Sequence, residues 1–172
     1  PRLLDALDDA LRSPVTVVRA PAGSGKTALL AEWASSGRAS GPVAWLLLSP
    51  ADSQRGRFWR QVLLSLSEAH DDPALARLAT PSSRPIADLL VELAAVLEGL
   101  AKPLVLVLDD LHEVTDPDVL ADLSTLLRVP PTGLRVVVTT RRQLGLRLHR
   151  LRVSGALTEI TARDLMFTRE EA

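Results

Sequence analysis

The stretch that decides the fold of this chain is Ala20-Pro21-Ala22-Gly23-Ser24-Gly25-Lys26-Thr27, which follows a short β-branched segment. It matches the phosphate-binding loop pattern Gly-x-x-x-x-Gly-Lys-Thr, except that Ala20 stands at the first glycine. Small residues let the backbone N–H groups from about Gly23 to Ala28 turn inward around a phosphate, and the following helix adds the positive end of its dipole. The stretch therefore predicts a phosphate-binding loop between a strand and a helix.

Two side chains of this loop carry specific chemistry. The Lys26 ammonium suits the β- and γ-phosphates, and the Thr27 hydroxyl is a hard oxygen ligand of the kind that Mg²⁺ prefers. A chance Gly-rich turn is the alternative, and the strand before and the helix after the loop argue against it. The predicted nucleotide-binding residues are Ala22, Gly23, Ser24, Gly25, Lys26, Thr27 and Ala28.

A pair of aspartates, Asp109 and Asp110, ends the five-residue apolar run 104–108. Open α/β sheets place their ligands at the carboxyl ends of the strands, so Asp109 is expected to hold Mg²⁺ through water. Asp110 is expected to orient or deprotonate the attacking water, although many ATPases with such a loop carry the longer Glu there. The alternative is a turn or helix cap. The neighbouring His112 either bonds Asp110 or faces solvent.

Arg141 follows the fourth predicted strand, whose end lies beside the phosphate loop if that strand neighbours the first. Its guanidinium is then expected to reach the γ-phosphate and to report its presence. The alternative is a solvated basic face over apolar residues. That face would comprise Arg141, Arg142, Arg147, Arg150 and Arg152, with Leu144, Leu148 and Leu151 beneath it.

The alternation of apolar segments predicts βαβ units and therefore a parallel sheet covered on both faces. Strands are predicted at residues 15–18, 43–48, 104–108, 134–139 and 157–160. Helices are predicted before the first strand, at 25–35 and 55–70, from Ile86, and after the Asp116-Pro117 cap, whereas 71–85 is expected to be a surface loop. The extra strand at 43–48 favours a three-layer α/β/α P-loop NTPase with a five-stranded sheet ordered 5-1-4-3-2.

The amino-acid composition excludes several classes of function. With 20 basic and 21 acidic residues the net charge is −1, which excludes a globally basic nucleic-acid binder. The absence of cysteine excludes disulfides and thiolate metal sites and permits a reducing compartment, so a cytoplasmic protein is expected. No apolar run approaches the length of a membrane span. The chain also has no Asn, so it cannot carry the Asn-Lys-x-Asp element that reads guanine, and ATP is the favoured nucleotide.

With these residues in place, the chain resembles the ATPase domain of the large LuxR-type, MalT-like transcriptional regulators, which are signal-transduction NTPases with numerous domains. The resemblance covers nearly the whole chain as one domain, 1–172, with a further helical region starting at about 168–172. It rests on Arg2, Leu3, Leu4, the loop 20–27, Trp33, Trp45, Phe58, Leu108, Asp109, Asp110, Leu111, His112, Thr139, Thr140, Arg141, Asp164, Leu165, Met166, Phe167 and Thr168.

The resemblance implies a regulatory switch that binds ATP or ADP with Mg²⁺, hydrolyses ATP slowly and self-associates according to the nucleotide. In such proteins DNA is bound only through a C-terminal helix-turn-helix, which is absent from this chain. Three other functions stay open: an AAA+-like motor or DNA-remodelling ATPase, a P-loop small-molecule kinase, and a non-enzymatic nucleotide-binding module. A motor would turn over quickly with DNA or protein, and a kinase would transfer phosphate to an acceptor other than water.

Overall fold

The computed structural model describes residues 2–165 and has a five-stranded parallel sheet flanked by helices. The strands are β1 (Val15–Arg19), β2 (Val43–Leu47), β3 (Leu104–Asp109), β4 (Leu134–Thr140) and β5 (Leu157–Thr161). The helices are α1 (Arg2–Ala10), α2 (Lys26–Ser35), α3 (Arg55–Ala69), α4 (Pro73–Ala79), α5 (Ile86–Glu98), α6 (Pro117–Arg128), α7 (His149–Val153) and α8 (Ala162–Leu165), with short 3-10 turns at Pro50–Ser53 and Leu111–Glu113.

The strand order is β2-β3-β4-β1-β5, and all four pairings are parallel. This is the predicted order 5-1-4-3-2 read from the other edge, so the predicted fold is confirmed. The order makes β4 a direct neighbour of both β1 and β3. The carboxyl ends of these three strands therefore lie side by side. The phosphate loop follows β1, Asp109 is the last residue of β3, and Arg141 follows β4.

The central position of β3 in the sheet explains why its sequence is an unbroken apolar run. Leu104, Leu106 and Leu108 join the core cluster beneath α3 to α6, whereas Val105 and Val107 join the cluster beneath α1 and α2. A strand covered on both faces buries every side chain, so it shows no polar alternation. All six β3 residues are buried, including Asp109 at its carboxyl end.

The segment 71–85 differs from the predicted surface loop, because it contains helix α4. Asp72 caps this helix, accepting hydrogen bonds from the N–H groups of Ala74 (2.8 Å) and Leu75 (3.2 Å), and Pro73 occupies the first turn. Leu75 and Leu78 are buried in the core. The same Asp-Pro pattern correctly predicted the start of α6 at Asp116. In the segment 71–85 the three prolines favoured a loop, so the pattern was not recognised as a helix start.

Helices α7 and α8 were not predicted, and both are too short to show a helical period. The predicted capping box of Thr168 and Glu171, the helix start at 168–172 and the motif residues 166–168 lie outside the described residues. Within residues 2–165, none of the helices combines the length and the apolar character that crossing a bilayer requires.

A buried carboxylate ties α3 to α6. Asp122 accepts two hydrogen bonds from Arg55, at 2.7 and 2.8 Å, and one from the indole N–H of Trp59 at 3.0 Å. The same contact raises the pKa of the Arg55 guanidinium. The Asp122 carboxylate thus accepts three hydrogen bonds, two of them in a bidentate ion pair. Because these bonds join α6 to α3, they stabilise the packing of the two helices over β3.

We expect Asp122→Ala to lower the free energy of unfolding by about 2 kcal/mol, because it leaves the buried Trp59 N–H and half-exposed Arg55 without their acceptor. Urea unfolding measures the change. Glu68→Ala, at an exposed position of α3, is the matched control. An equal loss in both variants would show that the network contributes nothing.

Candidate functional site

The phosphate loop connects β1 to α2 and has the backbone that a phosphate cradle needs. Gly23 and Gly25 have φ angles of 74° and 78°, in the left-handed region that side chains disfavour. The first bond of helix α2 runs from the Leu29 N–H to the Gly25 carbonyl at 2.9 Å, so the N–H groups of the first turn lack intrahelical acceptors. Ser24 closes the loop through its hydroxyl, which donates to the Pro21 carbonyl at 2.8 Å.

Lys26 lies inside this loop and is buried. Its Nζ donates to the carbonyls of Ala20 and Pro21, both at 2.9 Å, so the ammonium braces the loop. Burial lowers the pKa of Lys26; the positive charge of Arg141 adds to this effect, and the carboxylates Asp110 and Asp109 oppose it. These three charges stand at or just after the carboxyl ends of β3 and β4, which the strand order sets next to the end of β1.

Asp109 is fully buried and receives two hydroxyl groups. The Thr27 hydroxyl donates to its Oδ2 at 3.0 Å, and the Thr139 hydroxyl donates to its Oδ1 at 2.5 Å. The loop and the end of β3 are thereby joined through a carboxylate and a hydroxyl. These are hard oxygen donors, and the set fits Mg²⁺, which is usually held by one or two protein oxygens together with phosphate and water. Among residues 2–165, no group of three or more His, Asp or Glu side chains could hold a metal ion.

Asp110 follows with an unusual backbone. Its φ of 59° and ψ of 44° are left-handed, a conformation that Asp tolerates better than most residues. Its N–H donates to the Thr139 hydroxyl at 2.8 Å, which fixes the turn to β4. The side chain is partly buried, and its Oδ2 lies 3.7 Å from the half-exposed Arg141 guanidinium. The turn therefore places the Asp110 carboxylate near Arg141, and its negative charge also acts on Lys26.

His112 is placed differently from both predictions made for it. The ring is buried, so it does not face solvent, and Nδ1 lies 3.7 Å from Asp110 Oδ1, which is too far for a hydrogen bond. Nε2 lies 3.3 Å from Glu113 Oε1, yet neither ring nitrogen has a hydrogen-bond partner. The backbone is anchored instead: the His112 carbonyl accepts a hydrogen bond from Arg142 at 2.8 Å.

Sequence reasoning missed two participants in this site. The Thr139 hydroxyl bridges Asp109 and Asp110, and Arg142 ties the end of β4 to the loop after Asp110. The predicted strand order already placed Thr139 beside the end of β3, which was the available signal. The structure places the other predicted residues in two groups. The small residues of the loop and of the first turn of α2 are exposed, namely Ala22, Gly23, Gly25 and Ala28. The functional side chains come together at the ends of β1, β3 and β4, namely Lys26, Thr27, Asp109, Asp110 and Arg141.

An apolar cavity adjoins the first turns of α2 on the face covered by α1. Its volume is about 370 Å³, and Leu29 contributes to its wall two positions after Thr27. The other lining residues are Ala6, Asp9, Ala10, Thr158, Ile160, Asp164 and Leu165. The cavity is large enough for a flat heterocycle and lies beside the helix that starts at the phosphate loop.

Comparison with known proteins identifies the family of this chain. The sequence profile of the AAA ATPase domain family matches residues 2–139. Two Klebsiella pneumoniae proteins, both named HTH-type transcriptional regulator MalT, are 32% identical over 174 residues, which covers 99% of this chain. The chain spans only 19% of the length of these relatives.

Solved structures show the same fold at much lower sequence identity. Cdc6p from Pyrobaculum aerophilum has a TM-score of 0.61 at 15% identity, covering 91% of this chain and 44% of that protein. The Orc1 protein of Aeropyrum pernix, solved in complex with DNA, has a TM-score of 0.60 at 17% identity, covering 98% of this chain and 46% of that one. At such identities the likeness concerns the fold alone.

Proposed function

The chain belongs to the family of AAA ATPase domains, and we propose that it binds ATP or ADP with Mg²⁺ and hydrolyses ATP slowly as a regulatory switch. The observation that carries the proposal is the convergence of Lys26, Thr27 and Asp109 at the end of β3, beside unpaired helix N–H groups. These are the groups that a triphosphate and its magnesium ion require. We take 1–172 as one nucleotide-binding domain and expect it to act in the cytoplasm.

In the nucleotide complex, the backbone N–H groups of the loop would surround the β-phosphate. Lys26 would exchange its bonds to the Ala20 and Pro21 carbonyls for oxygens of the β- and γ-phosphates. Thr27 and Asp109 would hold Mg²⁺, which supplies charge neutralisation at the phosphate oxygens. The Thr27 hydroxyl lies 3.0 Å from Asp109, so both donors already face one another.

Asp110 is the group that we assign to the attacking water. Support for this role comes from the Asp110 carboxylate, which lies 3.7 Å from the Arg141 guanidinium, whereas the Asp109 carboxylate already accepts hydrogen bonds from two hydroxyls. A positioned carboxylate that accepts a proton from water accelerates hydrolysis by about 10² to 10⁴-fold. Because Asp is one methylene shorter than Glu, it reaches less far, and slow turnover is expected.

The cavity beside Leu29 is our candidate for the base. Leu29, in the first turn of the helix that follows the phosphate loop, contributes to its wall, and most of its lining is apolar, which suits the faces of a purine ring. The absence of Asn removes the usual guanine-reading element, so adenine is the expected base.

The switch itself requires a contact that differs between ATP and ADP. Arg141 is half-exposed, and its guanidinium lies 3.7 Å from Asp110. Because this ion pair is weak, exchanging it for a bond to a γ-phosphate oxygen would cost little free energy. This transfer would also release Asp110 toward the water. By similarity to the MalT regulators, we propose that the ATP state promotes self-association of a longer protein, and that any DNA contact is made by a separate helix-turn-helix.

We expect Arg141→Ala to weaken ATP by about tenfold or more relative to ADP, because a charge-assisted bond made only to the γ-phosphate is worth about 1.5 to 3 kcal/mol. Calorimetric titration of both nucleotides measures the ratio. Arg150→Ala, at an exposed position of α7, controls for the loss of a positive charge. Equal losses of affinity for ATP and ADP would show that Arg141 does not sense the γ-phosphate and belongs to a solvated basic face.

A further inference from the structure

A second cavity, which we call the basic pocket, lies on the opposite face of the sheet from α2. Its volume is about 420 Å³, within the range of small-molecule sites. Val17 and Arg19 of β1 contribute to its wall; Val17 belongs to the core cluster of α3 to α6, whereas Val18 faces α1 and α2. The pocket is thus separate from the apolar cavity beside Leu29.

The rim of the basic pocket carries a local excess of positive charge. Four arginines line it, namely Arg19, Arg142, Arg147 and Arg152, and Glu159 is the only carboxylate in the lining. Arg152 is paired with Glu159, and Arg142 donates to the His112 carbonyl. Within the described part of the chain, the side chains of Arg19 and Arg147 have neither a hydrogen bond nor an ion pair.

The floor of the pocket is apolar. Val17 lies on the sheet, and Leu144, Leu146 and Leu148 of the segment between β4 and α7 complete it. These leucines are half-buried, so the segment covers the sheet only partly. A solvated basic face would have arginines without a concave apolar surface beneath them. The combination of arginines at the rim with an apolar floor therefore favours a binding pocket over a solvated basic face.

The chemistry of the lining defines an occupant. Guanidinium groups bind carboxylates and phosphates through paired, charge-assisted hydrogen bonds, and the apolar floor favours a ligand with a hydrocarbon or aromatic body. We propose that the basic pocket binds a small organic anion, a carboxylate or phosphate carried on an apolar body, with Arg19 and Arg147 as its main contacts. In a chain whose net charge is −1, this concentration of positive charge is local.

The test uses phenyl phosphate and phenylacetate as anionic probes and benzyl alcohol as the neutral probe, with binding followed by NMR titration. At least one anionic probe should bind, and the neutral probe should bind much more weakly. The double variant Arg19→Ala/Arg147→Ala should weaken the anionic probe about tenfold or more. The double variant Arg60→Ala/Arg128→Ala, at exposed positions outside the pocket, should change the affinity less than about twofold.

Lys26→Ala separates this proposal from nucleotide binding, because a probe held by the phosphate loop would be lost in that variant and retained in the double variant of the pocket. Arg147→Ala alone, in a segment outside the sheet, gives a second readout if the double variant unfolds. The proposal is overturned if neither anionic probe binds, if the pocket variants bind as well as the wild type, or if Lys26→Ala removes the binding.

Discussion

Lys26→Ala is expected to weaken ATP by about a hundredfold or more, since the ammonium would make charge-assisted bonds to both the β- and the γ-phosphate, and to weaken ADP less, since ADP offers the β-phosphate alone. The structure adds a second effect: the variant also removes the donor of the Ala20 and Pro21 carbonyls, so it should lower stability by about 1 to 2 kcal/mol. Calorimetry measures the affinities, and thermal unfolding confirms that the variant is folded at the working temperature.

Lys102→Ala is the matched control, because Lys102 is the only other lysine of the chain and is exposed. It should bind nucleotide as the wild type does. If a folded Lys26→Ala protein bound ATP within about threefold of the wild type, the phosphate site would lie elsewhere in the chain.

Asp110→Asn should slow ATP hydrolysis by about a hundredfold while changing ATP affinity by less than about threefold. Asn lacks the negative charge that would accept the proton, and it tolerates the left-handed backbone that Asp110 adopts at φ 59°. The turn should therefore be retained. Single-turnover phosphate release measures the rate, and calorimetry measures the affinity.

Asp109→Asn provides the contrast for that experiment. Its carboxylate accepts hydroxyl bonds from Thr27 and Thr139, so its loss should weaken magnesium-dependent binding rather than the rate alone. If Asp110→Asn eliminated binding and Asp109→Asn eliminated only turnover, the roles of the two aspartates would be reversed.

Much of the arrangement was predictable because the relevant signals are local. The alternation of strand and helix segments predicts the parallel sheet, and the extra strand at 43–48, between the Gly-Lys-Thr loop and the apolar run before Asp109, predicts its order. The order in turn predicts Arg141 beside Lys26. In the structure the Arg141 guanidinium lies 3.7 Å from Asp110, and its contact with a γ-phosphate stays a prediction.

Most of the features that the sequence analysis missed depend on contacts between residues distant in the sequence, although helix α4 also has the local Asp72-Pro73 signal. Helix α4 is stabilised by burial of Leu75 and Leu78 in the core, which a segment rich in proline does not reveal. The backbone of His112 is held by Arg142, thirty positions away, whose guanidinium donates a hydrogen bond to the His112 carbonyl. The cavity beside Leu29 combines α1, α2, β5 and α8, so no single segment shows it.

The most direct test of the account is a calorimetric titration of the wild-type chain with ATP and with GTP in the presence of Mg²⁺. The account predicts saturable binding of ATP at one site per chain, with GTP weaker by about tenfold or more. The absence of ATP binding to the folded chain would contradict the proposed nucleotide site, and tighter binding of GTP would contradict the assignment of adenine as the base.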